Sequence, residues 1–187
     1  MKKLRLLLIT ILLIVTGCST MTATEKEQKR SEIDAMAKKA IAGLIKEDAN
    51  VKTEMDASLA YAVANMKVTK VPIFGAGGGE GVLVEKKTQK RIYFTVSRLD
   101  IGGGWGARSY KILMIINEPG VLQKLEGGTW EFQAGVEASA GTAAAEGAAG
   151  AGTGGYSLHV LLDGGASATA TARVIRIKVN SALTEDR

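Results

Sequence analysis

The sequence predicts an α+β fold: N-terminal amphipathic helices packed on a glycine-rich, strongly curved antiparallel β-sheet, with barrel-like closure as one form such curvature could take. Three observations lead there. Apolar residues recur at three and four as far as residue 66, strand signals replace that period after Pro72, and glycines punctuate the strand-forming runs at three separate places.

Residues 1–17 precede the domain and read as an export signal. Lys2, Lys3 and Arg5 make a basic start, and residues 6–15 an apolar core broken only by Thr10. A bilayer-spanning helix needs about 20 apolar residues, so this core is too short to be a transmembrane anchor. It leaves through "VTGC", an aliphatic residue and two small ones before Cys18, which resembles the lipobox of bacterial lipoproteins. The resemblance implies cleavage between Gly17 and Cys18, a diacylglyceryl group on the Cys18 thiol and an acylated new amine. Each buried methylene contributes about 0.8 kcal/mol, so several chains make the anchor permanent. Ser19 follows, not the aspartate associated with inner-membrane retention, so the expected placement in a Gram-negative host is the outer membrane, facing the periplasm.

Cys18 is the only cysteine, which leaves an exported chain no disulfide and no thiolate set for a metal. Without the three cations of the signal, 21 Lys plus Arg stand against 19 Asp plus Glu, a net charge of +2. So small an excess gives no ground for a nucleic-acid partner. The 170 residues from Cys18 onward suffice for one domain with a sizeable core.

Residues 18–24 are a small, polar, lipidated tether, and residues 25–66 a helical region. Ile33, Met36, Ala37, Ala40, Ile41, Leu44 and Ile45 form a stripe, with Glu32, Asp34, Lys38, Lys39 and Lys46 outside it. Because that polar face mixes acids with bases, packing on the domain is expected over lying on a membrane. A second helix is expected near Thr53, capped by its hydroxyl and Asp56, with Met55, Leu59, Ala62, Val63 and Met66 buried.

Residues 67–180 are the β-rich domain. Residues 81–87 and 90–96 read as hairpin arms around "KTQK", and "KILMIIN" at 111–117 as a central strand buried on both faces. "NEPGVLQKLEGG" offers a short helix, with Asn117 as a cap and Gly127 and Gly128 to stop it. "WEFQAGVEASA" alternates as a half-buried strand, and the Gly/Ala segment 141–155 reads as a mobile loop. Residues 156–162 and 166–179 read as a hairpin about "DGG", with a bulge where the alternation slips between Val174 and Ile175. Residues 181–187 form a polar tail.

An inventory of reactive groups argues against an enzyme, a metal site and a cofactor. His159 is the single histidine, without partners for a zinc set, and no serine lies in a nucleophile-elbow pattern. Asp100 and Asp163 adjoin glycines in expected turns. The run "VPIFGAGGGEGVLV" fails as a phosphate loop: Val82, Leu83 and Val84 favour a strand, no "GK[ST]" follows, and Glu80 puts negative charge where a phosphate would sit. Glycine inside strands instead permits close backbone approach and sharp coiling.

"ANMKVTKVPIFGAGGGEGVLVEKK", "DIGGGWGARSYKILMIIN" with its short helix, and "WEFQAGVEASAG" together resemble, in order, the blocks of the SYLF lipid-binding domain family in its bacterial lipoprotein branch. The likeness runs from about residue 57 to residue 179. It implies a non-enzymatic α+β domain that binds membrane phospholipid; eukaryotic relatives bind phosphoinositides. The front helix departs from them in not being strongly basic, and the Gly/Ala loop is longer in small residues. Candidate headgroup contacts are Lys86, Lys87, Lys90 and Arg91 around one turn, with Lys67 and Lys70 before the glycine run. Each cation near an anionic surface contributes about 1 kcal/mol. The alternative is a lipid-tethered structural or interaction module for envelope proteins or polymer. A small transmembrane β-barrel suits the alternation less well, given two leading helices and only 5% aromatics.

Overall fold

The computed structural model describes residues 21–141, 143–145 and 155–184, with 132–141, 143–145 and 165–173 in backbone only. The expected signal, Cys18 and the start of the expected lipidated tether lie outside the described residues. So do 185–187 and most of the Gly/Ala segment.

Helix α1 (Ala23–Glu47) opens with a capping box: the Thr22 hydroxyl accepts from the Glu25 amide at 3.3 Å, and the Glu25 carboxylate accepts from the Thr22 amide at 2.7 Å. After α2 (Asn50–Ala57) come β1 (Ala60–Lys70), β2 (Phe74–Glu85) and β3 (Arg91–Ile116). Then follow α3 (Pro119–Glu126), β4 (Thr129–Gly141), β5 (Ala143–Ala145), β6 (Tyr156–Val179) and the one-turn α4 (Ser181–Thr184). No helix among the described residues is long and apolar enough to cross a membrane, which says nothing of a β-barrel.

The fold is α+β with a single antiparallel sheet, in the order β1-β2-β3-β6-β4-β5 and with an extra β1–β3 pairing. That extra pairing dictates its shape. β2 pairs residues 91–101 of β3 while β1 pairs residues 106–116 of the same strand, so the two halves of β3 flank the β1–β2 pair. β3 has to bend between them, and there Gly102, Gly104 and Gly106 take φ of 142°, 132° and 146°, values an L side chain rarely adopts. β6 follows β3 along nearly its whole length, and β4 pairs only the later part of β6. Among the described residues nothing joins β4 to the other end, so the sheet is folded over but not closed into a barrel.

Each face of the folded sheet has its own core. The inner one takes Ala60, Ala62, Ala64, Met66 and Val68 from β1, with Ile92, Phe94, Val96, Met114 and Ile116 from β3; α3 covers one end with Val121 and Leu125. On the outer face Ile33, Ala37, Ala40 and Leu44 of α1 pack over Val63, Val82, Val84, Tyr93, Leu113 and Ile115. Full burial of one such large side chain contributes about 1.5–3 kcal/mol.

Five expectations are corrected. The second helix stops at Ala57, and residues 60–66 are strand; Thr53 caps nothing, since α2 starts at Asn50 without a side-chain cap. Ala60, Ala62, Ala64 and Met66 are good helix formers, yet β2 and β3 both offer β1 a hydrogen-bonding edge, and tertiary pairing outweighs propensity. The "DGG" hairpin is absent: β6 runs straight through, because β3 is long enough to pair both halves, and Asp163 is merely bulged opposite Ser109 and Tyr110. No bulge occurs at Val174 and Ile175; β4 carries it instead, between Ala134 and Glu137. Asp100, expected in a turn, lies inside β3. The start of the expected tail is ordered too, with Leu183 buried in the outer core.

Candidate functional site

The six cations singled out in the sequence fall into two separate groups. Lys67 and Lys70 pair with Gly78 and Gly75 near the end of β1, whereas Lys86, Lys87 and Lys90 occupy the turn beyond Glu85, which pairs with Ala60 at the start of that strand. Lys67 and Lys70 stand seven and ten strand steps from Ala60, which at about 3.3 Å each is roughly 23–33 Å.

Three of the four cations around the turn hold the fold together. Lys86 Nζ donates to the Met55 and Asp56 carbonyls, both at 2.6 Å, closing the C-terminal end of α2. Lys90 Nζ lies 3.3 Å from Glu126 of α3. Arg91 donates to Asp34 of α1, which also accepts from the Tyr93 hydroxyl at 3.2 Å. Burial works against the Arg91 charge, but Asp34 and Tyr93 outweigh it and hold its pKa above the ordinary guanidinium value. Lys87 is exposed, with no ion pair among the described residues.

At the bent end of the sheet the charge turns inward. Lys70, Arg98, Asp100 and Arg108 are all buried, Lys70 being 4% exposed. Arg98 Nε and Nη2 donate to the two Asp100 oxygens at 2.7 and 2.8 Å, a bidentate pair, and its Nη1 donates to the Tyr110 hydroxyl at 2.5 Å. The Arg108 guanidinium carbon stands 5.4 Å from the centre of the Tyr110 ring. Arg98, Arg108 and Tyr110 escaped the reading of the sequence, which placed Asp100 in a turn. Their even numbers, in step with Phe94 and Val96 on one side and Met114 on the other, were the available signal.

Next to this buried cluster the surface is apolar. Ile73 and Phe74 are 62% and 57% exposed, Trp105 is 68% exposed, and Val71, Leu99 and Ile101 are exposed with them. They form one tip. Phe74 pairs with Ile101 across β2 and β3, and the amides of Gly102 and Gly104 donate to the Ile73 and Pro72 carbonyls at 3.0 and 3.2 Å. Sequence reading overlooked this patch, because its members are single apolar residues separated by glycines and by about thirty positions of chain.

His159 has a structural setting. Its Nε2 lies 3.0 Å from Glu54 Oε2, which also accepts from the Ser157 hydroxyl at 2.8 Å, so α2 is pinned to β6. The hydrogen bond with His159 is the main cause that lowers the Glu54 pKa, against the opposing effect of burial. Among the described residues no group of three or more His, Cys, Asp or Glu could hold a metal ion.

No protein-family model matches the chain. No curated protein matches it either. Among solved structures, the virulence-associated protein VapD from the intracellular pathogen Rhodococcus equi is similar over 65% of this chain and 96% of its own, at 15% identity and a TM-score of 0.31. So low a score carries no argument about fold or function.

Proposed function

We propose that this chain is a lipid-anchored envelope protein of the SYLF lipid-binding type, held through Cys18 on the periplasmic side of an outer membrane, whose domain rests on anionic phospholipid. The role is one of binding, without catalysis or cofactor. The observation that carries the reading is the apolar tip: Val71, Ile73, Phe74, Ile101 and Trp105 are each more than half exposed at one end of the sheet. Apolar surface left in water costs about 25 cal/mol per Å², and a contiguous exposed patch marks a surface that something covers. A bilayer interface suits this one, since tryptophan partitions to the headgroup level while Ile73 and Phe74 reach into the acyl boundary. The five-residue step from Cys18 to Ala23 spans at most about 18 Å, which keeps the domain close to the membrane that holds the anchor. Exposed Lys67, near the tip, supplies attraction to anionic lipid.

Sedimentation with vesicles tests the reading, using a form that begins at Ser19 and so lacks the covalent anchor. The F74S/W105S double variant is expected to bind anionic vesicles about tenfold more weakly, a loss of ~1.4 kcal/mol. Unchanged binding would remove the tip from the interface. Equal recovery with neutral and anionic vesicles at low salt would sink the headgroup preference. A saturable envelope-protein partner captured without any vesicle binding would favour the tethered interaction module instead.

A further inference from the structure

The bent end of the sheet holds a buried amine with no hydrogen-bond partner among the described residues. The residue is Lys70, whose Nζ is shielded from solvent. Its cross-strand neighbours are Gly75 on β2 and Gly106 on β3, neither of which has a side chain to accept from it. Gly75 pairs in turn with Asp100, so a carboxylate does lie in the same row. Both Asp100 oxygens, however, are engaged by Arg98 at 2.7 and 2.8 Å, and the remaining Arg98 nitrogen donates to Tyr110. The Arg98–Asp100 pair is neutral. The ammonium of Lys70 is left over.

An unpaired ammonium in a protein interior costs several kcal/mol, and the same position could have carried an apolar side chain at no such cost. A lysine is explained there if an anion reaches it. We propose that Lys70 is the recognition group of an oxyanion site, in which one carboxylate or phosphate group enters the bent end of the folded sheet and takes the charge of Nζ. The surroundings suit that occupant. Over Gly75 the Lys70 stem lies against the Asp100 side chain, a Cβ there standing 3.3 Å from Lys70 Cγ and 3.1 Å from Asp100 Cβ, so an anion would reach Nζ beyond that stem. The turn next to it, residues 71–73, is tied to the bend by main-chain hydrogen bonds while its side chains stay exposed. The apolar tip begins one residue after Lys70, so an acidic group inside and hydrocarbon outside describe the ends of a single amphiphile. That identification of the source rests on the membrane reading above; the oxyanion chemistry does not.

The test uses the full chain in a neutral detergent, wild type and K70M, with inorganic phosphate and phosphatidic acid in mixed micelles as separate probes and chloride at matched ionic strength as the reference. Methionine keeps most of the aliphatic stem without the charge. Wild type is expected to show a saturable rise in thermal midpoint with at least one probe. K70M is expected to start from a higher midpoint than anion-free wild type and to lose the response at least about tenfold in probe affinity. Phosphate alone sufficing assigns the site to a free anion, and a response restricted to phosphatidic acid assigns it to a headgroup. Because inorganic phosphate has no hydrocarbon, its response supports Lys70 even if the domain fails to bind vesicles. A K70M protein that responds like wild type overturns the proposal. If K70M does not fold, calorimetric titration of wild type decides, and the absence of saturable heat with both probes overturns it.

Discussion

At the scale of single residues, Gly79 and Gly103 carry opposite constraints. A Cβ added at Gly79 would stand 1.8 Å from the Asn65 carbonyl oxygen, which is strand backbone and cannot step aside, whereas at Gly103 it would meet nothing within 4 Å. Gly79→Ala is therefore expected to destabilise the fold by more than about 3 kcal/mol, and Gly103→Ala to leave it within about 0.5 kcal/mol of wild type. Urea unfolding of the two variants checks both values. The composition of the run beyond Pro72 already suggested close backbone approach, but which glycine needs it depends on the register with β1. The same holds for charge. Lys70 and Lys67 look equivalent in the sequence, and only their opposite parity in β1 sends one inward and the other to the surface.

The elements differ in how plainly their sequences mark them. The short helix α3 has Pro119 at its start and Gly127 at its end, signals that act locally and need no partner. The segment after Ala57 has no such mark: alanine, valine and methionine there fit a helix stripe and a strand equally, and the decision falls to β2 and β3. Helix α2 is correspondingly brief, and its attachment is partly electrostatic. Glu54 bridges Ser157 and His159, and its folded pKa lies below the ordinary carboxylate value of 4.5. A depressed carboxylate pKa adds stability that is present above the unfolded value and lost as pH falls through the folded one. Wild type is thus expected to lose protection of the α2 amides as pH drops below 4.5, more steeply than Glu54→Gln does. Hydrogen exchange across that range measures it, and the effect is small because Glu54 is partly exposed.

Over the whole molecule, the two cores share their strands. Within β1, Ala62 and Ala64 face the inner core and Val63 the outer, and within β3, Met114 and Ile116 alternate with Leu113 and Ile115 in the same way. Loss of β1 or β3 from the sheet would open both cores together. A single unfolding transition is expected, with far-ultraviolet circular dichroism coinciding with the fluorescence of Trp130, read in a W105S background so that only the tryptophan beside the inner core reports. Separate midpoints would show that the α1-covered face opens first. The bend in β3 also explains why buried cations and an apolar tip meet: folding the strand over brings residues 98–108 against the end of the β1–β2 pair.

The sequence by itself determined that helices lead and strands follow, the hairpin arms on either side of "KTQK", the buried central run at 111–116 and the presence of the helix that follows it. Those features rest on periodicity, turn residues and the Gly127 stop, which act over a few positions of chain; the expected N-caps Thr53 and Asn117 do not form, and the short helix starts from Glu118 without a side-chain cap. The tertiary structure alone decided that β6 is one strand, that residues 60–66 join the sheet, that Arg91 and Lys86 serve packing, and that Lys70 shares its cross-strand row with Asp100 through Gly75. Each of those outcomes depends on which edge pairs with which and in what register, and a hydrogen-bonding edge far away in the chain leaves no local trace in the residues it will recruit.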